Sequence, residues 1–144
     1  MKKLIFGEGP KRAKIVLIGE AGGAEEEKKK RPFVGRAGKF LDKELKKFGF
    51  DRKKLYITNV VKERCVGTPK AEKIRKYLPY LISELKAVKP KIIVLLGRTA
   101  AKAVPRNLAK IYLDLPHPAA AMRFPKQKKL FEKGLKLLKI MSKK

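Results

Sequence analysis

Lys14-Ile-Val-Leu-Ile-Gly19 is a continuous apolar run that stops at a glycine. An amphipathic strand would alternate, so a run without alternation reads as a strand buried on both faces, the kind found in parallel sheets. Leu55-Tyr-Ile-Thr-Asn-Val-Val61, rich in β-branched residues, is a second strand, and Lys91-Ile-Ile-Val-Leu-Leu-Gly97 a third. Ile111-Tyr-Leu-Asp-Leu115, stopped by Pro116, is a weaker fourth.

Helical periodicity fills the intervals. Phe40, Leu41, Leu45 and Phe48 recur at helical spacing between lysines, with Gly49 as a stop. Ile74, Leu78, Leu81, Ile82 and Leu85 form a second stripe, for which Thr68-Pro69 supplies a cap and first-turn proline. Pro79 inside that stripe predicts a kink. A short helix is expected after Gly97, through Ala100, Ala101 and Val104. A last one runs through Leu130, Phe131, Leu135, Leu138 and Met141, its outer face almost solid lysine. Strands alternating with helices define an α/β protein, a three-layer α/β/α arrangement on a central four-stranded parallel sheet. Residues 1–144 read as one domain, with no repeat, low-complexity tract or linker.

Composition narrows the partners. Of 144 residues, 39 are Lys or Arg and 13 Asp or Glu, a formal net charge of +26. Such an excess repels itself unless a polyanion neutralises it, so nucleic acid or an anionic membrane is the natural partner, and nucleic acid the expected one. Adaptation to high temperature also enriches lysine, but it adds both signs together. Cys65 is the only cysteine, so neither an intrachain disulfide nor an all-cysteine metal site is available. Met1–Phe6 is too short and too charged for a signal peptide, and no apolar run approaches the ~20 residues of a membrane span. The expectation is a soluble, cytoplasmic monomer with no membrane contact.

Ligands of parallel sheets sit at the carboxyl ends of the strands, and the unusual residues lie there. Gly19-Glu-Ala-Gly-Gly23 follows the first strand, with Arg31-Pro-Phe-Val-Gly35 behind it. No Gly-Lys-Ser/Thr follows, so this is not a P-loop. Asn59, in Thr58-Asn-Val-Val-Lys62, ends the second strand, where an Asn is more often a turn residue. His117-Pro-Ala-Ala-Ala-Met-Arg123 follows the fourth strand and holds the chain's one histidine. A lone His is more often structural than catalytic, but its place on this rim favours chemistry.

These four segments, in this order, resemble the uracil-DNA glycosylase superfamily, most closely its family 4, the thermostable bacterial and archaeal branch. The resemblance runs from about Leu4 to about Leu138. It implies a DNA-repair glycosylase that flips uracil out of DNA and hydrolyses its N-glycosidic bond, leaving an abasic site. Uracil-containing DNA is then the partner. By this resemblance His117 donates a hydrogen bond to the base as it departs, and the backbone around Glu20 and Ala21 lines the pocket. Phe33 stacks on the base, and the Asn59 amide reads its Watson–Crick edge. Glu20 also positions water or supports the sugar cation. Pro118, Met122 and Arg123 belong to the loop that wedges into the duplex, Met122 filling the vacated space and Arg123 holding a phosphate. The bland alternative is a strand-to-helix loop with one exposed Met. Glu26, in Glu25-Glu-Glu27, is a weaker acid/base candidate whose plain reading is a solvated first helical turn.

The chain departs from the family pattern in four places. Gly22 stands where the first motif has proline, which should loosen the turn. The family's iron–sulfur cluster uses four cysteines, two of them N-terminal; the third and fourth positions here are Glu63 and Tyr77. No cofactor or metal is therefore expected. The stretch between strands three and four is also short. Two alternatives stay open: a glycosylase for another deaminated base (hypoxanthine or xanthine), and a non-catalytic DNA- or RNA-binding relative.

Overall fold

A computed structural model describes residues 4–143; part of the leader-peptide reading of Met1–Phe6 falls outside that range. Four strands, β1 (Ile15–Gly19), β2 (Tyr56–Asn59), β3 (Ile92–Leu96) and β4 (Ile111–Leu115), form one all-parallel sheet in the order β2-β1-β3-β4. Its register levels the strand ends: Gly19 lies opposite Asn59, and Leu96 opposite Leu115.

Successive strand residues feed opposite layers, which is why β1 and β3 are apolar throughout. Ile15, Leu17, Ile92, Val94 and Leu96 face one core with Leu41 and Leu45 of α2 (Arg36–Lys47) and Phe131, Leu135 and Leu138 of α6 (Pro125–Ser142). Val16, Ile18, Ile93 and Leu95 face the other, against Tyr77, Leu81, Leu85 and Val88 of α3 (Ala71–Val88) and Ala100 of α4 (Arg98–Ala103). The three-layer α/β/α expectation is met. Among the described residues, no helix is long and apolar enough to cross a membrane.

Several boundaries differ from expectation. The second strand is shorter at both ends; beyond it, Val60 and Val61 donate backbone hydrogen bonds to Gly19 and Glu20 instead of continuing the ladder. Lys70, not Thr68-Pro69, caps α3, its carbonyl accepting from Lys73 and Ile74. The helix continues through Pro79. The segment after His117, expected as a loop, is a short helix, α5 (Pro118–Arg123), with His117 as its N-cap. Proline at N1 and three alanines behind it favour that outcome. A short helix, α1 (Ala24–Lys29), precedes α2. The N-terminal segment also adds to the β2 edge, where Glu8 and Ile57 exchange backbone bonds at 2.9 and 2.8 Å.

Candidate active site

The carboxyl ends of the strands hold a narrow cavity of about 60 Å³, lined by Ala21, Gly22, Glu26, Phe33, Ala37, Gly38, Asn59 and His117. Ala21, Phe33, Asn59 and His117 are thus brought to one slot. Glu20 is not in its lining. It faces the adjoining groove of about 730 Å³, shared with Gly97, Arg98, Thr99 and His117, where its Oε2 accepts from Thr99 Oγ1 at 2.6 Å.

Phe33 is buried with φ +51, a left-handed conformation costly for a bulky residue. Its surroundings enforce it. On one side Arg52 donates to the carbonyls of Pro32 and Phe33 at 2.6 Å each, while Asp42 holds the guanidinium at 2.8 Å. On the other, Val34 and Gly35 donate to Glu26 Oε2 at 2.9 and 2.6 Å. A Cβ on Gly19 would stand 2.5 Å from Phe33 Cζ and 2.6 Å from Asn59 Oδ1, so glycine here lets ring and amide close on the end of β1.

Glu26 stands in the first turn of α1, partly buried and not simply solvated, with its carboxylate taken up by backbone donors. It also accepts from Gly23 N at 2.9 Å, so one carboxylate ties the glycine-rich turn to the Phe33 loop. Burial pushes its pKa up, but the backbone donors outweigh this and hold it below the ordinary carboxylate value. The Gly22 turn is pinned in the same manner, its carbonyl accepting from Cys65 N at 3.1 Å, and a Cβ there would meet Glu26 and Ile5 at 2.8 Å. We predict that Glu26→Gln, which leaves backbone N–H groups short of an acceptor, lowers unfolding free energy by about 1–3 kcal/mol at neutral pH. A group with depressed folded pKa stabilises in full above its unfolded pKa, about 4.3, and loses that contribution as pH falls through the folded value. The gap between parent and variant in denaturant titrations therefore narrows below pH 4.

Asn59 is 2% exposed, and its Oδ1 finds no hydrogen-bond partner among the described residues. Buried amide oxygens are rarely left so, because the cost is about 1–3 kcal/mol. Its backbone is fixed from behind: Lys62 Nζ donates to the Asn59 carbonyl at 2.7 Å and pairs with Glu84 at 2.6 Å.

His117 Nδ1 accepts from Ala119 N at 3.0 Å. An accepting Nδ1 places the ring proton on Nε2, making that nitrogen the donor. Burial lowers the His117 pKa against a smaller opposing pull from Glu20, so the ring is neutral at pH 7. The imidazole centroid lies 5.6 Å from that of Phe33, tilted by 32°. Gly97, at φ +93, gives it room, for a Cβ there would approach His117 Cβ to 3.1 Å.

The residues expected to wedge into the duplex lie on or beside α5. Pro118 is buried at the start of α5. Met122 is 37% exposed, Arg123 is exposed, and the next residue, Phe124, which the sequence reading passed over, is 57% exposed.

The cluster positions do not suit iron and sulfur. Tyr77 OH donates to Glu63 Oε2 at 2.8 Å, and Lys73 Nζ lies 2.6 Å from Glu63 Oε1. Burial, then the Glu63 carboxylate, pushes the Tyr77 hydroxyl up to about 12, so it is a neutral donor and no phenolate ligand. Cys65 supplies one thiol beside them, whereas such clusters are held by sets of cysteines. Among the described residues, no group of three or more His, Cys, Asp or Glu side chains is placed to hold a metal ion.

The rim of the parallel sheet thus joins a buried amide, a neutral imidazole donor and an aromatic ring at one narrow slot. The profile of the Uracil DNA glycosylase superfamily matches residues 6–139, and the chain belongs to that superfamily. It is 35% identical to the type-4 uracil-DNA glycosylase of Pyrobaculum aerophilum over 158 residues, 93% of this chain and 81% of that enzyme. It is likewise 35% identical to the type-4 uracil-DNA glycosylase of Archaeoglobus fulgidus, over 90% of this chain and 77% of that enzyme. The crystal structure of Pedobacter heparinus SMUG2 shares the fold, with a TM-score of 0.66 at 12% identity, over 92% of this chain and 77% of that one.

Proposed function

We propose that this protein excises uracil from DNA in base-excision repair, hydrolysing the N-glycosidic bond and leaving an abasic site. A stacked base is out of reach of the slot, so it must first be extruded. The observation that carries the reading is the buried, unpartnered Oδ1 of Asn59. Uracil offers N3–H to that oxygen and O4 to the amide NH₂; cytosine offers an unprotonated N3 and an amine, and fits neither.

Breaking the C1′–N1 bond leaves the sugar with oxocarbenium character and the base with both bonding electrons. The charge that grows on uracil O2 meets the Nε2–H of His117, a neutral donor already held by Ala119. Phe33 stacks on the ring. Glu20, anchored by Thr99 in the groove beside the slot, faces the sugar, supports its positive charge and orients the attacking water. Water adds its oxygen to C1′, its proton is lost to solvent, and the uracil anion takes up a proton after leaving. Met122 and Arg123, exposed at the end of α5, fill the emptied stack and hold a phosphate.

The test incubates the purified protein with duplexes bearing single uracil, hypoxanthine or xanthine lesions, followed by hot alkali. Strand breaks at uracil are expected. Breaks at hypoxanthine or xanthine alone would assign another base, and none on any lesion would leave a binding protein.

A further inference from the structure

A further cleft, of about 610 Å³, lies between the segment after β2 and the first half of α3. Arg64, Lys70, Lys73 and Lys76 line it against a single acid, Glu72. It adjoins the Glu20–His117 groove, since Thr68 lines both, and that groove adds Arg75, Arg98 and Lys102. Arg64, Lys70 and Lys76 are exposed, and Val66 between them stands 90% exposed on the loop tip. Lys73 is committed to Glu63 at 2.6 Å and contributes less free charge, while Arg64 pairs more loosely with Glu27, at 3.8 Å between largely exposed side chains.

The C-terminal helix is the chain's more conspicuous lysine surface, but it points away from the slot. α6 leaves the rim at Pro125 and descends the sheet until Ser142 O accepts from Lys14 Nζ, just before the start of β1. At 1.5 Å per residue, Lys133 and Lys136 lie about 12 and 16 Å down the axis.

We propose that the cleft of Arg64, Lys70 and Lys76 is a DNA-backbone track, so that the duplex crosses the rim towards α3 instead of following α6. This rests on the glycosylase reading for its choice of DNA as partner. The cations line a cleft that shares Thr68 with the groove holding His117, and phosphates are what exposed cations beside an apolar contact recognise. Each phosphate neutralised releases counterions and adds about 0.9 to the slope of log affinity against log salt.

The experiment measures affinity for an undamaged duplex across a salt series. The Arg64→Gln/Lys70→Gln/Lys76→Gln variant is expected to flatten the slope by roughly 2–3, and Lys133→Gln/Lys136→Gln to leave it unchanged. Because Lys76 packs on the Tyr77 ring, an Arg64→Gln/Lys70→Gln variant, which spares that contact, is measured in parallel and should lose roughly 2. Unchanged slopes in both cleft variants would overturn the proposal, as would a loss confined to the α6 variant. Undamaged DNA keeps the two questions apart: a protein that fails to excise uracil yet shows the flattened slope retains the track and loses the enzyme reading.

Discussion

Replacing His117 by alanine lowers single-turnover uracil excision by roughly 10²–10³-fold, the loss typical of one preorganised oxyanion-type donor, and leaves affinity for uracil-containing DNA nearly unchanged. The separation follows from when the bond matters. In the ground state uracil O2 carries only carbonyl charge; as the glycosidic bond breaks the charge grows, and the Nε2–H bond strengthens with it. The ring is held ready, since Ala119 N occupies Nδ1 at 3.0 Å. Because burial depresses the His117 pKa, its neutral form persists as pH rises from 7 to 9, and the parent's rate shows no fall there from this residue. A required imidazolium would lose rate over the same interval. Parallel titrations of excision and binding in parent and His117→Ala check both statements.

Asn59→Asp should reduce uracil excision by roughly 10²-fold or more, because a site built around buried hydrogen bonds rejects a partner that leaves them unmade. The substitution keeps the oxygen that accepts N3–H but replaces the amide donor facing O4 with an acceptor. It also places a carboxylate where the present side chain is 2% exposed. The same change suits the cytosine amine, so the ratio of cytosine to uracil excision rises. Unchanged uracil excision would reduce Asn59 to a turn residue at the end of β2.

Much of this was legible along the chain, for reasons that differ by element. β1 and β3 announce themselves because each strand residue enters one of two cores and leaves no polar position. Asn59 and His117 are legible because they end or closely follow a strand, and a parallel sheet gathers strand ends at one rim; Phe33, beyond α1, is legible only through its Arg31-Pro-Phe-Val-Gly35 motif. What escaped depends on distance in sequence. Arg52, in Asp51-Arg-Lys-Lys54, looks like any surface cation, yet it holds the carbonyls of Pro32 and Phe33 twenty and nineteen residues away. Glu26 carries ordinary helix-start signals, and its bonds to Val34 and Gly35 exist only once α1 packs against the next loop. Thr99 lies two residues beyond Gly97, and only the sheet brings it to Glu20, 79 residues earlier. α5 is signalled by Pro118 and three alanines, a helix propensity that the likeness to a wedge loop masks.

The claim at the centre is that the slot takes one base from DNA and cuts it from its sugar. Its most direct measurement is the release of free uracil from a duplex carrying one uracil per molecule, with abasic sites counted in the same reaction under enzyme excess. One uracil is expected to be freed for each abasic site formed, with an intact sugar–phosphate backbone before alkali. Tight binding of that duplex with no uracil released, at any temperature up to the protein's melting point, would contradict it.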